Sequence, residues 1–292
     1  DQRLRSSVMV EVDNQTIIID TGPDFRQQML REGVQDIDAI LFTHHHKDHV
    51  AGMDDVRAFN HKWNKDIDVF CNLTTEKALK KEFPGLPHVA VFDTAFHQSM
   101  PKRAFLYAIP EKFYEKYHVR RYGFHGTSHR YVLSQASKYF EEKQTSQAFV
   151  SAHLGNGCSV CASLDGRSID TSMGMTPLEG LVMGQRSGDL DPSIIGYLSD
   201  KEQCPPAELI TILNKKSGLL ALSKVGADMR LIEKEAQNGN QSAVLAIEIF
   251  CYRLAKYIAS YLVPLQKIDG LIFTGGIGEN SELIREKVVN ML

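Results

Sequence analysis

The pattern of apolar and polar positions predicts an α/β protein. Residues 7–12 and 16–20 are short β-prone runs flanking Asp13-Asn14-Gln15, and they predict two antiparallel strands. Residues 38–43, 67–70 and 88–92 predict further strands. Asp24 is placed to cap a helix running to Gly33, and residues 74–83 predict a second helix. Pro101 and Pro110 each open a short helix, and a longer one follows Gly126 to about residue 142. An apolar run at 148–150 and a β-prone run at 159–164 then lead to Asp165-Gly166, a hairpin signal ahead of residues 168–170. Downstream, Pro192 and Pro205-Pro206 open helices, and another starts at Ala227-Asp228-Met229-Arg230. Val244, Ile247, Cys251, Leu254, Ile258 and Leu262 recur at three and four residues, predicting a long amphipathic helix up to Pro264. Residues 269–274 predict a buried strand that runs into Gly275-Gly276-Ile277-Gly278-Glu279-Asn280, with Asn280-Ser281 placed to cap a last helix.

The stretch 151–192 carries the densest chemistry. Its Gly155-Asn156-Gly157 bend lets backbone N–H groups approach an anion, because glycine has no Cβ. Gly184, Arg186, Gly188, Asp189 and Asp191 share one loop, and an arginine among glycines suits a transferring phosphoryl group. Taken singly, these pieces are a glycine-rich turn and a solvated arginine. Together they predict a phosphate site. The strand, glycine loop and helix start at 269–281 predict a nucleotide cradle beside it.

Composition narrows the classes. At 292 residues the chain is long enough for two domains. Its 33 Lys+Arg against 36 Asp+Glu give no basic surface for nucleic acid, and no apolar run nears the ~20 residues of a membrane span. Residues 1–5 do not form a signal peptide. Five scattered cysteines fit a reducing, cytoplasmic setting. Cys158 and Cys161 lie three apart on a predicted strand with no second pair, which predicts buried thiols over zinc or redox chemistry.

Residues 38–43 deliver His44-His45-His46-Lys47-Asp48-His49. Three imidazoles and a carboxylate at His44, His46, Asp48 and His49 are ligand types that zinc requires in close convergence. With IIIDTGPDFRQQM, LFTHHHKDHVAG and MDDVRAFN, residues 1–83 resemble the N-terminal part of a metallo-β-lactamase-fold hydrolase of the phosphodiesterase-like branch. That resemblance implies an αββα fragment, with His44 and His46 on one metal and Asp48 and His49 on another. The family's later histidines and bridging aspartate have no counterparts.

From Pro84 a different pattern begins. VFDTAFHQSMP, RRYGFHGTSH, HLGNGCSV, DTSMGMTPLEGLVMGQRSGDLDP and FTGGIGEN, in that order, resemble the acetate kinase family. The resemblance implies part of the ribonuclease-H-like acetate/sugar kinase, hexokinase and actin fold. It also implies reversible transfer of the ATP γ-phosphoryl group to acetate, giving acetyl phosphate, with ATP/ADP and Mg²⁺, in a homodimer. Asp93 would be the catalytic carboxylate. His125 and Arg186 would stabilise the transition state with positive charge, and Phe124 with Pro177 would line the acetate methyl pocket. His153, Leu154, Gly155, Asn156 and Gly157 would hold phosphates. Asp228, Met229 and Arg230 would contact the nucleotide on one side, and Gly276, Ile277, Gly278, Glu279 and Asn280 on the other. The family's first phosphate turn and carboxylate-gripping arginine would precede Pro84, and its metal-binding glutamate would follow Leu292.

These readings predict three parts: a metallo-β-lactamase-like fragment at 1–83, a remnant of the kinase N-terminal domain at 84–147, and the kinase nucleotide-binding domain at 148–292. No Gly/Ser linker marks the seam at Phe83-Pro84. A zinc-dependent phosphodiesterase working through the N-terminal histidines is the alternative function. A nucleotide-binding chain without turnover is the third.

Overall fold

The computed structural model describes the chain apart from residues 1–6, 13–14, 45, 54, 57–58, 60–66, 83–88, 91 and 141–145, and apart from the side chains of 47–48, 79–82, 89–90 and 140. The seam at Phe83-Pro84 and the Asp48 side chain therefore lie outside the described residues. The chain divides into two compact units, Asp1–Phe92 and Asp93–Leu292.

Unit 1 holds one five-stranded sheet in the order β1-β2-β3-β4-β5. β1 (Val8–Val12) pairs antiparallel with β2 (Gln15–Ile19), Val10 facing Ile17. β3 (Ala39–Leu41), β4 (Asp68–Cys71) and β5 (Val89–Ala90) then add in parallel. Between them run α1 (Phe25–Arg31), α2 (Lys47–Val50) and α3 (Leu73–Glu82). Asp24 stands at the N-cap of α1, but its side chain makes no capping hydrogen bond. The core gathers Ile18, Phe25, Met29, Ile37, Ile40, Phe42 and Val69. Every residue of β1 is exposed, because that edge strand has a neighbour on one side only.

In unit 2, Ala95–Ser99 forms a 3₁₀ turn, followed by α4 (Lys102–Phe105), α5 (Lys112–Tyr117) and α6 (Gly126–Phe140). The sheet is β8-β7-β6-β9. β6 (Ala148–Leu154), β7 (Cys158–Leu164) and β8 (Arg167–Thr171) form an antiparallel meander. Asp165 (φ 50°) and Gly166 (φ 73°) are both left-handed, the backbone a two-residue hairpin turn needs to match the strand twist. β9 (Gly270–Thr274) lies parallel to the other edge of β6.

The helices α7 (Ser193–Glu202), α8 (Pro206–Lys215), α9 (Gly218–Ser223) and α10 (Met229–Gln237) precede the long α11 (Gln241–Ser260). α11 buries Ala243, Ala246, Ile247, Phe250, Cys251, Leu254, Ala255 and Ile258. Ile247, Cys251, Leu254 and Ile258 are on the buried face as predicted, which alanines and Phe250 widen, while Val244 is half-buried and Leu262 falls beyond the helix and stays exposed. α12 (Leu262–Leu265), α13 (Gly275–Asn280) and α14 (Glu282–Val289) complete the unit. Residues 275–280, predicted as an open glycine loop, thus form a short helix. Gly275 (φ 79°) makes its sharp entry, where a Cβ would meet the Leu154 carbonyl oxygen at 2.7 Å. Cys158 and Cys161 are buried free thiols, each pushed up to about 12 by burial. Among the described residues no helix is long and apolar enough to cross a membrane.

Candidate active site

The site is built where α6, the β6–β7 bend and the 183–188 loop meet. His125 immediately precedes α6 in the left-handed region (φ 57°), which is costly for a residue with a Cβ. Two bonds hold the chain there: the Asp93 Oδ2 accepts from the His125 N–H at 2.9 Å, and the Asp93 carbonyl accepts from the Gly126 N–H at 2.8 Å. Asp93 therefore anchors the start of α6, as a capping residue does.

Gly157 sits at the base of the site. A Cβ placed on it would lie 3.3 Å from His125 Nε2 and 3.4 Å from one Arg186 Nη. The imidazole and the guanidinium thus converge on one point above a backbone that carries no side chain. The same Arg186 nitrogen donates to the Pro177 carbonyl at 3.3 Å and contacts Met183 Sδ at 3.8 Å. Gly188 (φ 69°) lets the arginine loop pass the Gly180 and Leu181 carbonyls, which a Cβ would meet at 2.5 and 2.4 Å.

Behind His125 lies a set of histidines and serines. His125 Nδ1 is 2.8 Å from Ser159 Oγ, and that oxygen is 2.7 Å from His129 Nε2. His129 Nδ1 is 2.8 Å from Ser151 Oγ. His153 stacks on His125 at 4.2 Å between ring centroids, and its Nδ1 lies 2.8 Å from Ser128 Oγ. His97 donates through Nε2 to the Phe124 carbonyl at 3.0 Å, while its Nδ1 lies 2.8 Å from Ser168 Oγ. Burial pushes all four imidazoles down. His125 falls to about 3, through desolvation first and then the neighbouring His153, Arg186 and His97. At neutral pH His125 is therefore uncharged, which leaves Arg186 as the cation of this pair and His125 as a polar ring.

A cleft of about 690 Å³ opens at the β6–β7 bend. It is lined by Gly155 and Asn156, by Asp228, Met229 and Arg230, and by Gly276, Ile277 and Asn280. The structure thus brings residues from three predicted nucleotide segments to one wall-to-wall cavity. Ala227, Glu233 and Ser281 also line it and were not predicted. Several predicted residues serve the scaffold. Leu154 and Gly278 are buried, and Phe124 packs against the core of the unit. Asp228 caps α10 by accepting from the Arg230 N–H at 3.0 Å, and its other oxygen pairs with the Arg230 guanidinium at 2.6 Å. Glu279 folds back to accept from Thr274 Oγ1 and the Gly275 N–H.

In unit 1 the His44 ring lies 4.6 Å from that of His46 and 3.9 Å from that of His49. His49 Nδ1 pairs with Asp20 Oδ2 at 2.7 Å, and His44 Nδ1 lies 3.0 Å from Thr43 Oγ1. Among the described residues no three His, Cys, Asp or Glu side chains converge as a metal requires, in either unit.

The sheet of unit 2 with its crossing helices, and the cleft at the end of β6 and β9, define a kinase fold of the acetate and sugar kinase, hexokinase and actin class. Within that class the chain belongs to the acetokinase family, whose pattern matches residues 45–292. The acetate kinase of Shewanella loihica is 54% identical over 243 residues, 83% of this chain and 60% of that protein. The acetate kinase of Shewanella frigidimarina is 57% identical over 216 residues, 74% of this chain and 54% of that protein. A propionate kinase from Francisella tularensis superposes with a TM-score of 0.74 at 41% identity, covering 92% of this chain and 72% of its own. The Porphyromonas gingivalis acetate kinase gives 0.72 at 34% identity, covering 96% and 76%. The chain therefore spans little more than half the length of the curated relatives it matches. The metallo-beta-lactamase superfamily pattern matches residues 1–60.

Proposed function

We propose that unit 2 binds ATP or ADP in the cleft and transfers the γ-phosphoryl group reversibly to acetate, giving acetyl phosphate and ADP. The observation that carries this reading is continuity along one bend. Gly155 and Asn156 line the cleft, and two residues on, Gly157 underlies the meeting point of His125 and Arg186. A nucleotide lying along the cleft would direct its terminal phosphate to that point. An acetate oxygen then forms a bond to phosphorus as the bond to the β-phosphate oxygen breaks, and ADP leaves with the electron pair. The acceptor is already an anion, so no proton need be removed. What the transfer demands is compensation of the charge spread over the phosphoryl oxygens. Arg186 supplies a fixed cation there and His125 a polar ring edge.

Mg²⁺ accompanies this chemistry in the family resemblance and, when bound, neutralises phosphate charge. Among the described residues no three His, Cys, Asp or Glu side chains are grouped to hold it. The five free thiols support a reducing cytoplasmic setting.

The test is ADP titration calorimetry together with hydroxamate trapping of acetyl phosphate. The expected result is ADP binding and acetate-dependent hydroxamate, with Arg186→Ala lowering turnover about 10²–10³-fold while ADP affinity stays within a few-fold. Failure to bind ADP would remove the cleft reading. Binding without hydroxamate would leave a nucleotide-binding protein without turnover.

A further inference from the structure

The hydrogen bonds behind His125 have a direction that the chain itself fixes. Four groups lie in line: Ser151 Oγ, the His129 ring, Ser159 Oγ and the His125 ring, with the three contacts at 2.8, 2.7 and 2.8 Å. Both serines and His129 are fully buried. His129 is held neutral by burial, so one of its nitrogens carries hydrogen and the other accepts. Each serine brings one O–H hydrogen, and among the described residues neither oxygen has another side-chain or backbone hydrogen bond.

One order of hydrogens satisfies every donor. Ser151 O–H donates to His129 Nδ1, His129 Nε2–H donates to Ser159 Oγ, and Ser159 O–H donates to His125 Nδ1. Reversing the order makes His129 donate to Ser151, whose own buried O–H then has no acceptor among the described residues. If both rings donate to Ser159, the Ser159 O–H is stranded instead. A buried donor without an acceptor keeps its whole desolvation cost, so both alternatives are disfavoured.

We propose that Ser151, His129 and Ser159 are positioning residues that hold His125 as its Nε2–H tautomer, so that a neutral imidazole presents an N–H donor beside Arg186. The Arg186 nitrogen nearest this point directs its contacts elsewhere, to the Pro177 carbonyl and Met183 Sδ, so its two hydrogens are engaged away from a lone pair on His125 Nε2. An N–H at Nε2 instead faces the place assigned to the phosphoryl oxygens, and its hydrogen bond strengthens as negative charge spreads onto them. This deepens, and rests on, the phosphotransfer reading above.

Long-range ¹H–¹⁵N spectra of the full ¹⁵N-labelled chain at pH 7.5 read the tautomer directly, with the His125 signals assigned by their loss in His125→Asn. The expected result is a single Nε2–H form. Ser159→Ala, adjacent to the ring, and Ser151→Ala, three hydrogen bonds away, should each turn it into a mixture, whereas Ser151→Thr, which keeps the hydroxyl, should preserve it. In the hydroxamate assay both alanine variants should lose about ten-fold in kcat, as for one hydrogen bond, with KM for ATP within about two-fold. An Nδ1–H form or an even mixture in the unaltered chain overturns the proposal, and so does a tautomer indifferent to both alanine changes. If the alanine variants fail to fold, the spectrum of the unaltered chain decides alone. Absence of turnover in the unaltered chain counts against the phosphotransfer reading, while the spectrum still judges the tautomer.

Discussion

Lowering the pH from 7.5 to 5.5 protonates the histidines of an unfolded chain but not those that unit 2 buries. His97, His125, His129 and His153 are all pushed down, with desolvation the largest cause in each case. In this range the unfolded state binds more protons than the folded state, so stability rises with pH. Their contribution is complete above about pH 6.5 and is lost as the pH falls below it. One histidine that titrates only when unfolded removes about 1.4 kcal/mol between pH 7.5 and 5.5. His125, down at about 3, and the fully buried His129 together give about 3 kcal/mol, to which His97 and His153 add. That is a large share of the ~5–15 kcal/mol typical of a folded domain. Asp170 works the other way, because burial raises its carboxyl and the folded state keeps its proton more tightly. Hydrogen exchange of the β6 and β7 amides at several urea concentrations follows unit 2 alone, at pH 7.5, 6.5 and 5.5 and fixed ionic strength. His129→Gln should reduce the pH-dependent loss by about 1.4 kcal/mol. Equal stability at pH 7.5 and 5.5, or a His129 variant with the parental slope, would refute the neutral buried cluster.

Two further substitutions test the site and its support. Gly157→Ala places a methyl 3.3–3.4 Å from His125 Nε2 and the Arg186 guanidinium, at a backbone conformation any residue adopts. Stability should change by less than about 1 kcal/mol while turnover falls about 100-fold, and parental turnover would show that the phosphoryl group passes elsewhere. Glu179→Ala strands the Arg121 guanidinium, which pairs with Glu179 at 2.5 Å and is only 17% exposed. Arg121 keeps its bonds to the Thr171, Ser172 and Met173 carbonyls, so a loss of about 3 kcal/mol in urea unfolding is expected, and a loss below about 1 would contradict the account.

Local signals in the sequence were legible where the physics is local. Asp165-Gly166 required left-handed backbone and adopted it, and the β-prone runs on either side paired through it. Motif resemblance reached further, naming residues of three distant segments that line one cleft. What sequence could not show was burial and long-range partnership. His129 lies four residues beyond His125, but its partners Ser151 and Ser159 are 22 and 30 residues away. A period-two reading of β6 and β7 could have raised them, since His153 faces Ser159 and Ser151 faces Cys161 across the register. The charge of His125 was likewise invisible, because a residue letter does not reveal desolvation. Asp93 and Asp228 are each engaged at the start of a helix, a use that depends on where the helix begins, and Asp228 also lines the cleft.

The neutral cluster explains why one arginine suffices to mark the site. Placing a second full positive charge beside Arg186 would require a buried imidazolium next to a guanidinium, both out of water, before any anion arrived. Desolvation and like-charge repulsion act together against that state, and both appear among the causes that hold His125 down. A neutral donor avoids the repulsion, stays ready through the physiological pH range, and still responds to charge developing on a phosphoryl oxygen. The cation is left to Arg186, whose loop is fixed through Gly188 and the Pro177 carbonyl. Loss of Arg186 should therefore be the heavier blow, since it removes a charge, whereas loss of the Ser151–His129–Ser159 line misdirects a dipole.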